Sequence, residues 1–67
     1  MEKLPFKAIR AIKGMSQKEV AIKVGVNRAT YASWEKYKTY PDAMQLVKLS
    51  EVFMCSLDTF YFPQGTS

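Results

Sequence analysis

Two helical patterns separated by a single glycine constrain the fold of this chain more than any other feature of its sequence. The first begins at Ser16–Glu19, which matches a capping box: the serine side chain accepts a hydrogen bond from the amide three residues on, and the glutamate reaches back to the serine amide. Gly25 predicts the end of this helix, because glycine tolerates the positive φ angle at which a side chain would clash. Asn27 is a good N-cap for a second helix that starts just beyond the glycine. The spacing therefore predicts two short helices joined by a tight turn, and in chain order these are helix 2 and helix 3.

The flanking sequence extends this helical pattern toward the N-terminus. Helix 1 is predicted from about Pro5 to Ile12, because proline suits a first helical turn and Gly14 suits a helix end. Helix 3 is predicted to run from Asn27 to about Lys36. Apolar spacings of three and four assign the core-facing side chains of helices 1 to 3; these are Phe6, Ile9, Ile12, Val20, Ala21, Val24, Tyr31 and Trp34.

Two more helical patterns follow a loop. Helix 4 is expected to start near Asp42, whose charge suits the positive end of a helix, and Ser56 is expected to cap a short fifth helix. The apolar residues expected to face the core here are Met44, Leu46, Val47, Leu49, Val52, Phe53, Leu57, Phe60 and Tyr61. Strict alternation of apolar and polar residues is hard to find, so no sheet is expected. The predicted fold is an all-α, compact bundle of five short helices.

Length and charge limit what this bundle can do. The 67 residues suffice for one domain (1–67), with a core at about 5–62 and a loose tail at 64–67. The net charge of +4 is uneven, since residues 1–40 carry nine lysines and arginines against three acidic residues. That imbalance favours a polyanionic partner, and the alternative interpretation is ordinary solvated helix faces.

Several function classes are disfavoured by residues that the sequence lacks. It has no histidine and a single cysteine, Cys55, which argues against an enzyme, a metal site and an internal disulfide. We expect no cofactor. Apolar runs are too short to span a membrane, the first residues lack the apolar stretch of a signal peptide, and a reducing cytoplasm fits best.

The order of residues resembles the lambda-repressor-like family of helix-turn-helix DNA-binding domains, also called the Cro/repressor or XRE type. The resemblance covers about residues 6 to 61 and includes the final stretch S-L-D-T-F-Y. The matching residues, in order, are Arg10, Gly14-Met15-Ser16-Gln17, Val20-Ala21, Val24-Gly25-Val26, Trp34-Glu35 and Pro41. Two positions depart from the family pattern, because Tyr37 and Met54 stand where glycine is usual. Each is expected either to adopt a positive φ angle, at an energetic cost of about 1 kcal/mol or more, or to redirect the loop.

This resemblance implies a helix-turn-helix formed by helices 2 and 3, with helix 3 in the major groove of double-stranded DNA. It implies base contacts from Asn27, Arg28, Ala29, Thr30 and Ser33. It implies phosphate contacts from Gln17, Lys18, Lys36, Lys38 and Tyr40. It also implies a structural salt bridge between Arg10 and Glu35.

Other roles remain open for several of these residues. Gln17 could merely complete the helix cap. Arg28 could bind phosphate or stay solvated, and Lys36 and Lys38 could lie in an ordinary solvated loop. Thr30 could only stabilise its helix.

The C-terminal apolar residues suggest a dimer surface, as expected for a domain that covers one half of a palindromic operator. The residues of this predicted patch are Cys55, Leu57, Phe60, Tyr61 and Phe62, next to Met54 and Pro63. The alternative is that these side chains close the core. The function expected from the resemblance is a sequence-specific transcriptional regulator, a repressor of phage, plasmid or bacterial type that acts as a homodimer. The alternative function is an antitoxin-like protein-binding module that also regulates its own promoter.

Overall fold

A computed structural model describes residues 2–63 and contains four α-helices in that range. They are α1 (Phe6–Lys13), α2 (Gln17–Val24), α3 (Arg28–Glu35) and α4 (Ala43–Phe53). α2 packs against α3 and α4, and α1 packs against the same two helices. The all-α prediction is confirmed. The predicted loose tail, 64–67, lies outside the described residues.

The predicted fifth helix is a single 3₁₀ turn, Leu57–Thr59, which Ser56 caps by accepting a hydrogen bond from the Asp58 amide at 3.1 Å. The turn stops because the following backbone is extended and pairs with the N-terminal segment. The Leu4 amide donates to the Thr59 carbonyl at 2.7 Å, and the Tyr61 amide donates to the Leu4 carbonyl at 2.9 Å. This isolated parallel bridge, between Leu4 and Phe60, is the only strand-like pairing among residues 2–63.

The local signals around the α2–α3 turn are confirmed in detail. Ser16 Oγ accepts from the Glu19 amide at 3.0 Å, and Glu19 Oε1 accepts from the Ser16 amide at 2.9 Å. Gly25 ends α2 with a φ of 92°, and Asn27 Oδ1 accepts from the Thr30 amide at 2.8 Å. Because both helix ends are satisfied within a three-residue turn, the axis of α3 is fixed relative to α2 by local bonds.

A second capping box starts α4. Asp42 Oδ1 accepts from the Gln45 amide, and Gln45 Oε1 accepts from the Asp42 amide, both at 2.8 Å. The start predicted near Asp42 is therefore confirmed, with a reciprocal pair in addition to the favourable charge.

The core draws on all four helices and on the segment after the 3₁₀ turn. Its buried hydrophobic side chains are Phe6, Ile9, Val20, Ala21, Tyr31, Trp34, Leu49, Phe53 and Phe60. The predicted core positions of Tyr31 and Trp34 are confirmed. Trp34 contacts Tyr31 edge-on, with ring centroids 6.1 Å apart, so the inner face of α3 is fully occupied and its outer face is left to solvent.

Five predicted core residues are exposed instead: Ile12, Met44 and Val47 in α1 and α4, and Leu57 and Tyr61 near the C-terminal end of the described chain. Each step of three residues turns back about 60° on a helix, so Ile12 lies about 120° away from Phe6. Met44 and Val47 lie on the side of α4 opposite Leu49, which faces the core. The apolar stripes of α1 and α4 are therefore narrower than the sequence suggested.

Both residues that replace the family's glycines keep the left-handed conformation, with φ angles of 57° at Tyr37 and 55° at Met54. Met54 ends α4 as its C-cap, and its amide donates to the Glu51 carbonyl. The chain therefore follows the path of a glycine at both turns, with a side chain in place. No helix within residues 2–63 has the length and apolar content needed to cross a membrane.

Candidate nucleic-acid interface

An open groove of about 480 Å³ runs along the outer face of α3. Its walls come from α3, from the loop that follows, and from the first turn of α4. The lining residues are Asn27, Ala29, Thr30, Ser33, Trp34, Thr39, Tyr40 and Gln45. Four of the five predicted base-contact residues therefore share one surface with the predicted phosphate contact Tyr40. Nothing in the described chain covers this face: Asn27 and Ala29 are exposed, and Thr30 and Ser33 are half-buried.

Thr39 and Gln45 are groove residues that the sequence analysis missed. The capping box of α4 positions Gln45 by using its Oε1 as an acceptor. Its side-chain amide nitrogen, Nε2, is left to donate. The spacing of Asp42 and Gln45 could have revealed this position, since it is the same signature that marks Ser16 and Glu19.

Arg28, the fifth predicted base contact, lies beside the groove and reaches toward α2. Its Nη1 donates to Gln17 Oε1 at 3.1 Å, and Gln17 Nε2 donates to Glu35 Oε1 at 2.9 Å. The orientation of the Gln17 amide follows from chemistry, because arginine can only donate and a carboxylate can only accept. Gln17 therefore links Arg28, the first residue of α3, to Glu35, the last residue of the same helix.

Arg10 and Glu35 form the predicted salt bridge between α1 and the end of α3. Arg10 Nε donates to Glu35 Oε2, its Nη2 donates to Oε1 at 3.3 Å, and its Nη1 donates to the Met15 carbonyl at 3.0 Å. Burial alone would raise the pKa of the Glu35 carboxyl, but its hydrogen bonds, led by the one from Arg10, outweigh burial and lower the pKa. Glu35 thus stays ionised and holds both Arg10 and Gln17.

Tyr31 lies one helical turn before Glu35, and its hydroxyl is buried with no hydrogen-bond partner among the described residues. Burial raises the pKa of Tyr31, and the nearby carboxylate of Glu35 raises it further. The phenol therefore remains neutral and lies in the core, on the inner face of α3.

The loop after α3 carries the other predicted phosphate contacts. Lys36 and Lys38 are exposed, as is Lys18 in the first turn of α2. The Lys38 amide donates to the Ser33 carbonyl at 3.0 Å, so the loop backbone is tied to the last turn of α3. The lysine side chains then extend from a fixed base next to the groove. Their phosphate role, and that of Gln17, stay predictions.

Tyr37, within this loop, joins it to both termini of the described chain. Its ring stacks on Phe6 with centroids 5.9 Å apart, and its hydroxyl donates to the Tyr61 carbonyl at 2.7 Å. Tyr40 and Phe62 lie at 6.1 and 6.3 Å from the same ring. We call this set of contacts the Tyr37 clasp. From the sequence alone, Tyr37 stands out as a replacement of glycine that costs energy or redirects the loop, and its contacts are not evident.

The structure corrects part of the predicted dimer patch. Phe60 is only 2% exposed, because it pairs with Leu4 and packs edge-on against Phe6 at 5.1 Å. Cys55 and Phe62 are half-buried against the core. Leu57 and Tyr61, which were expected to pack back on the core, are instead 49% and 40% exposed. The surface part of the patch therefore consists of these two residues, with Met54 and Pro63 exposed nearby in the sequence.

Residues 2–63 contain no group of three or more histidine, cysteine, aspartate or glutamate residues placed to hold a metal ion.

Two helices joined by a three-residue turn, with the second open to solvent along a groove and two further helices closing the core, define a lambda-repressor-like helix-turn-helix domain. A helix-turn-helix family model, HTH_3, matches residues 6–60, and the chain belongs to this XRE-type family of DNA-binding domains. Among solved structures, it is similar to the P22 c2 repressor protein in complex with synthetic operator 9T in the presence of Tl⁺. The two are 30% identical over 79% of this chain and 80% of that one, with a TM-score of 0.75. No curated protein matches the sequence significantly.

Proposed function

We propose that this chain is a sequence-specific transcription regulator that places α3 in the major groove of double-stranded DNA. The observation that carries the proposal is the uncovered outer face of α3, where Asn27, Ala29, Thr30 and Ser33 line one groove. Family membership supports it, as does the likeness to a repressor solved with operator DNA. The major groove is about 12 Å wide and admits one α-helix.

The chemistry of the outer face suits base recognition. Arg28 presents a planar guanidinium, which pairs with the O6 and N7 atoms of guanine. Its present partner, Gln17, would either release it or move with it toward DNA. Ala29 offers a methyl group to thymine. Asn27 uses Oδ1 to cap α3, so its Nδ2 group is the part that remains for DNA.

Groups around this face suit phosphates. α2 begins at Gln17 with free amides and a positive helix end, and Lys18 adds a charge to its first turn. Tyr40 lines the groove along α3, and Lys36 and Lys38 are exposed in the loop that follows this helix. We infer that these two sets contact the backbone on either side of the groove, which would make binding strongly dependent on salt.

We further propose that the protein is a repressor of phage, plasmid or bacterial type that acts in the cytoplasm as a homodimer. Its operator would be a palindrome with half-sites about 10 base pairs apart, which puts both recognition helices on one face of the duplex. Leu57 and Tyr61 supply the exposed apolar surface for the dimer contact, with Cys55 and Phe62 at its base. Bound at a promoter, such a dimer excludes polymerase by its bulk.

Selection of bound sites from random duplex DNA tests the proposal directly. The expected result is an enriched motif of two inverted half-sites, read with Arg28→Ala as the matched control that loses enrichment at one position in each half-site. Absence of any enriched motif at low salt, from protein whose fold is intact by circular dichroism, would refute the proposed function.

A further inference from the structure

The part of the loop that lines the α3 groove is not held in place by hydrogen bonds. The Lys38 amide donates to the Ser33 carbonyl at 3.0 Å, which fixes the start of the loop. Pro41, at its end, is buried. Thr39 and Tyr40, between them, line the groove and form no hydrogen bond with the rest of the described chain. The position of this part of the loop therefore depends on side-chain packing.

Two other aromatic rings pack against Tyr40. Its ring centroid lies 6.1 Å from that of Tyr37 and 6.3 Å from that of Phe62, and these two are themselves 6.3 Å apart. The three rings thus form a closed triangle of contacts. Tyr40 is nevertheless 55% exposed and lines the groove. Its hydroxyl, which has no partner in the described chain, is therefore carried by a packed ring at the wall of the groove.

Tyr37 is itself fixed from two sides. Its ring stacks on the buried Phe6, with centroids 5.9 Å apart, and its hydroxyl donates to the Tyr61 carbonyl at 2.7 Å. That acceptor is also anchored, because the Tyr61 amide donates to the Leu4 carbonyl at 2.9 Å. Burial raises the pKa of Tyr37, so its phenol stays protonated and continues to donate at neutral pH. The contacts of Tyr37 therefore connect Tyr40 to the body of the domain.

We propose that Tyr37 is a positioning residue for DNA binding, which holds the Tyr40 hydroxyl at the edge of the α3 groove to donate to a phosphate oxygen. This inference rests on the proposed function and assigns a role to a side chain that does not itself touch DNA. A group that is already ordered loses less conformational freedom on binding, so Tyr37 adds affinity through Tyr40.

The backbone of Tyr37 supports this assignment. Its φ angle of 57° is one that glycine adopts without cost and that disfavours any side chain. Strained residues of this kind are concentrated at functional sites, where the surrounding contacts compensate for the strain. At this position the compensating contacts are those of the Tyr37 clasp, and the same ring packs on the one exposed tyrosine that lines the groove.

Binding of the full chain to a duplex that carries one selected half-site tests the proposal. Tyr37→Gly removes the ring and keeps the backbone path, because glycine accepts the φ angle. We expect the dissociation constant to rise about threefold to tenfold, the range expected when one more side chain must be ordered on binding. The dependence of affinity on salt should not change, because a neutral phenol releases no counterion from DNA.

A double-mutant cycle shows whether Tyr37 acts through Tyr40. In the background of Tyr40→Phe, which keeps the ring and removes the hydroxyl, Tyr37→Gly should change the dissociation constant by less than about twofold. In the background of Lys38→Ala it should retain its full effect, because the Lys38 backbone is held independently by Ser33. A purely structural role would give the same loss in all three backgrounds.

Two further variants separate positioning from stability. Val52→Ala is the control, since Val52 packs on the core and does not line the groove, and its dissociation constant should stay within about twofold of the wild type. If Tyr37→Gly does not fold, as judged by circular dichroism, Tyr37→Leu replaces it. Leucine keeps an apolar side chain over Phe6 without a ring beside Tyr40, and it should show the same dependence on background.

The outcomes distinguish this proposal from the proposed function. Wild-type affinity in a folded Tyr37 variant, or an equal loss with and without the Tyr40 hydroxyl, would overturn the positioning role and leave the DNA-binding function standing. A folded wild type that binds no duplex at low salt would refute the proposed function, and the positioning role with it.

Discussion

The hydroxyl of Tyr37 donates a hydrogen bond to the carbonyl of Tyr61 at 2.7 Å, across a sequence separation of 24 residues. Tyr37 holds this position with a φ angle of 57°, which disfavours any side chain. Met54 has almost the same φ angle, 55°, but its side chain is exposed. The two residues therefore have the same backbone strain and opposite side-chain environments, and they form a natural matched pair for mutation.

At Tyr37 the side-chain contacts should outweigh the strain. Tyr37→Phe keeps the ring against Phe6 and removes the bond to Tyr61, so we expect a loss of about 0.5–1.5 kcal/mol in unfolding free energy. Tyr37→Gly relieves the φ angle but removes the whole ring, whose burial is worth about 1.5–3 kcal/mol. It should be the less stable variant. Urea unfolding followed by the fluorescence of the buried Trp34 measures both, and a glycine variant as stable as the wild type would show that the clasp contributes nothing.

At Met54 the same replacement should have the opposite sign. Met54→Gly gives up almost no buried contact and relieves a left-handed residue, so we expect a gain of about 0.5–1 kcal/mol. Met54→Ala is the control, because it retains Cβ and the strain. The measurement is thermal or urea unfolding at low protein concentration, where self-association does not contribute. A glycine variant less stable than the alanine variant would mean that the φ angle is not the source of strain.

The ion pair between Arg10 and Glu35 should make stability fall in acid. The pKa of Glu35 is lowered in the folded state, so its contribution is fully present above the pKa of an unfolded glutamate, about 4.3. That contribution is lost as the pH falls through the lower folded value. Glu35→Gln should flatten this part of the pH profile. It should also reduce stability near pH 7 by about 3 kcal/mol, the low end for breaking a buried pair, since Arg10 keeps some contact with solvent. Unfolding titrations between pH 2 and pH 7, about the range that spans these pKa values, would reveal an unchanged slope if another group were responsible.

The exposed part of the C-terminal patch gives a further test. Tyr61→Asp places a charge on the side chain that stands at the surface, and it leaves the backbone carbonyl that Tyr37 uses. We expect dimers on a two-half-site DNA to weaken by about tenfold or more, because a buried unpaired charge is costly at an interface. Leu57→Ser should have a smaller effect of the same sign. Gel mobility and sedimentation on one and two half-sites measure it, and equal binding of the variant and the wild type would remove Leu57 and Tyr61 as a dimer surface.

The parts of this fold that the sequence predicted are those fixed by neighbours in the chain. Ser16, Gly25 and Asn27 form bonds within three or four residues, so their positions follow from local pattern alone. The sequence left Phe60 open between the core and a dimer surface, because its burial depends on Leu4, which is 56 positions earlier and cannot be paired with it from local pattern.

The candidate site likewise contains features that the local sequence pattern predicts and others that it does not. The outer face of α3 follows from helical spacing, because Tyr31 and Trp34 fix which side is inside. The bonds that join Arg28 to Gln17 and Gln17 to Glu35 connect two helices, and family resemblance assigned each residue a separate partner. Side-chain networks between helices depend on the crossing geometry, which the sequence pattern does not specify.

Arg28 and Lys38 should separate base recognition from phosphate binding. Both are exposed cations on or next to α3, so each change to alanine removes one charge and little folding energy. Arg28→Ala should cost about 1–3 kcal/mol on the selected operator and relax the preference at one base pair, with little effect on random DNA. Lys38→Ala should weaken both DNAs alike and reduce the slope of log K against log salt by about one. Fluorescence anisotropy on operator and scrambled duplexes, at several salt concentrations, distinguishes the two. If Arg28→Ala lowered affinity equally for both sequences, its guanidinium would be a phosphate contact, and base recognition would rest on Asn27, Ala29 and the groove residues Thr30 and Ser33.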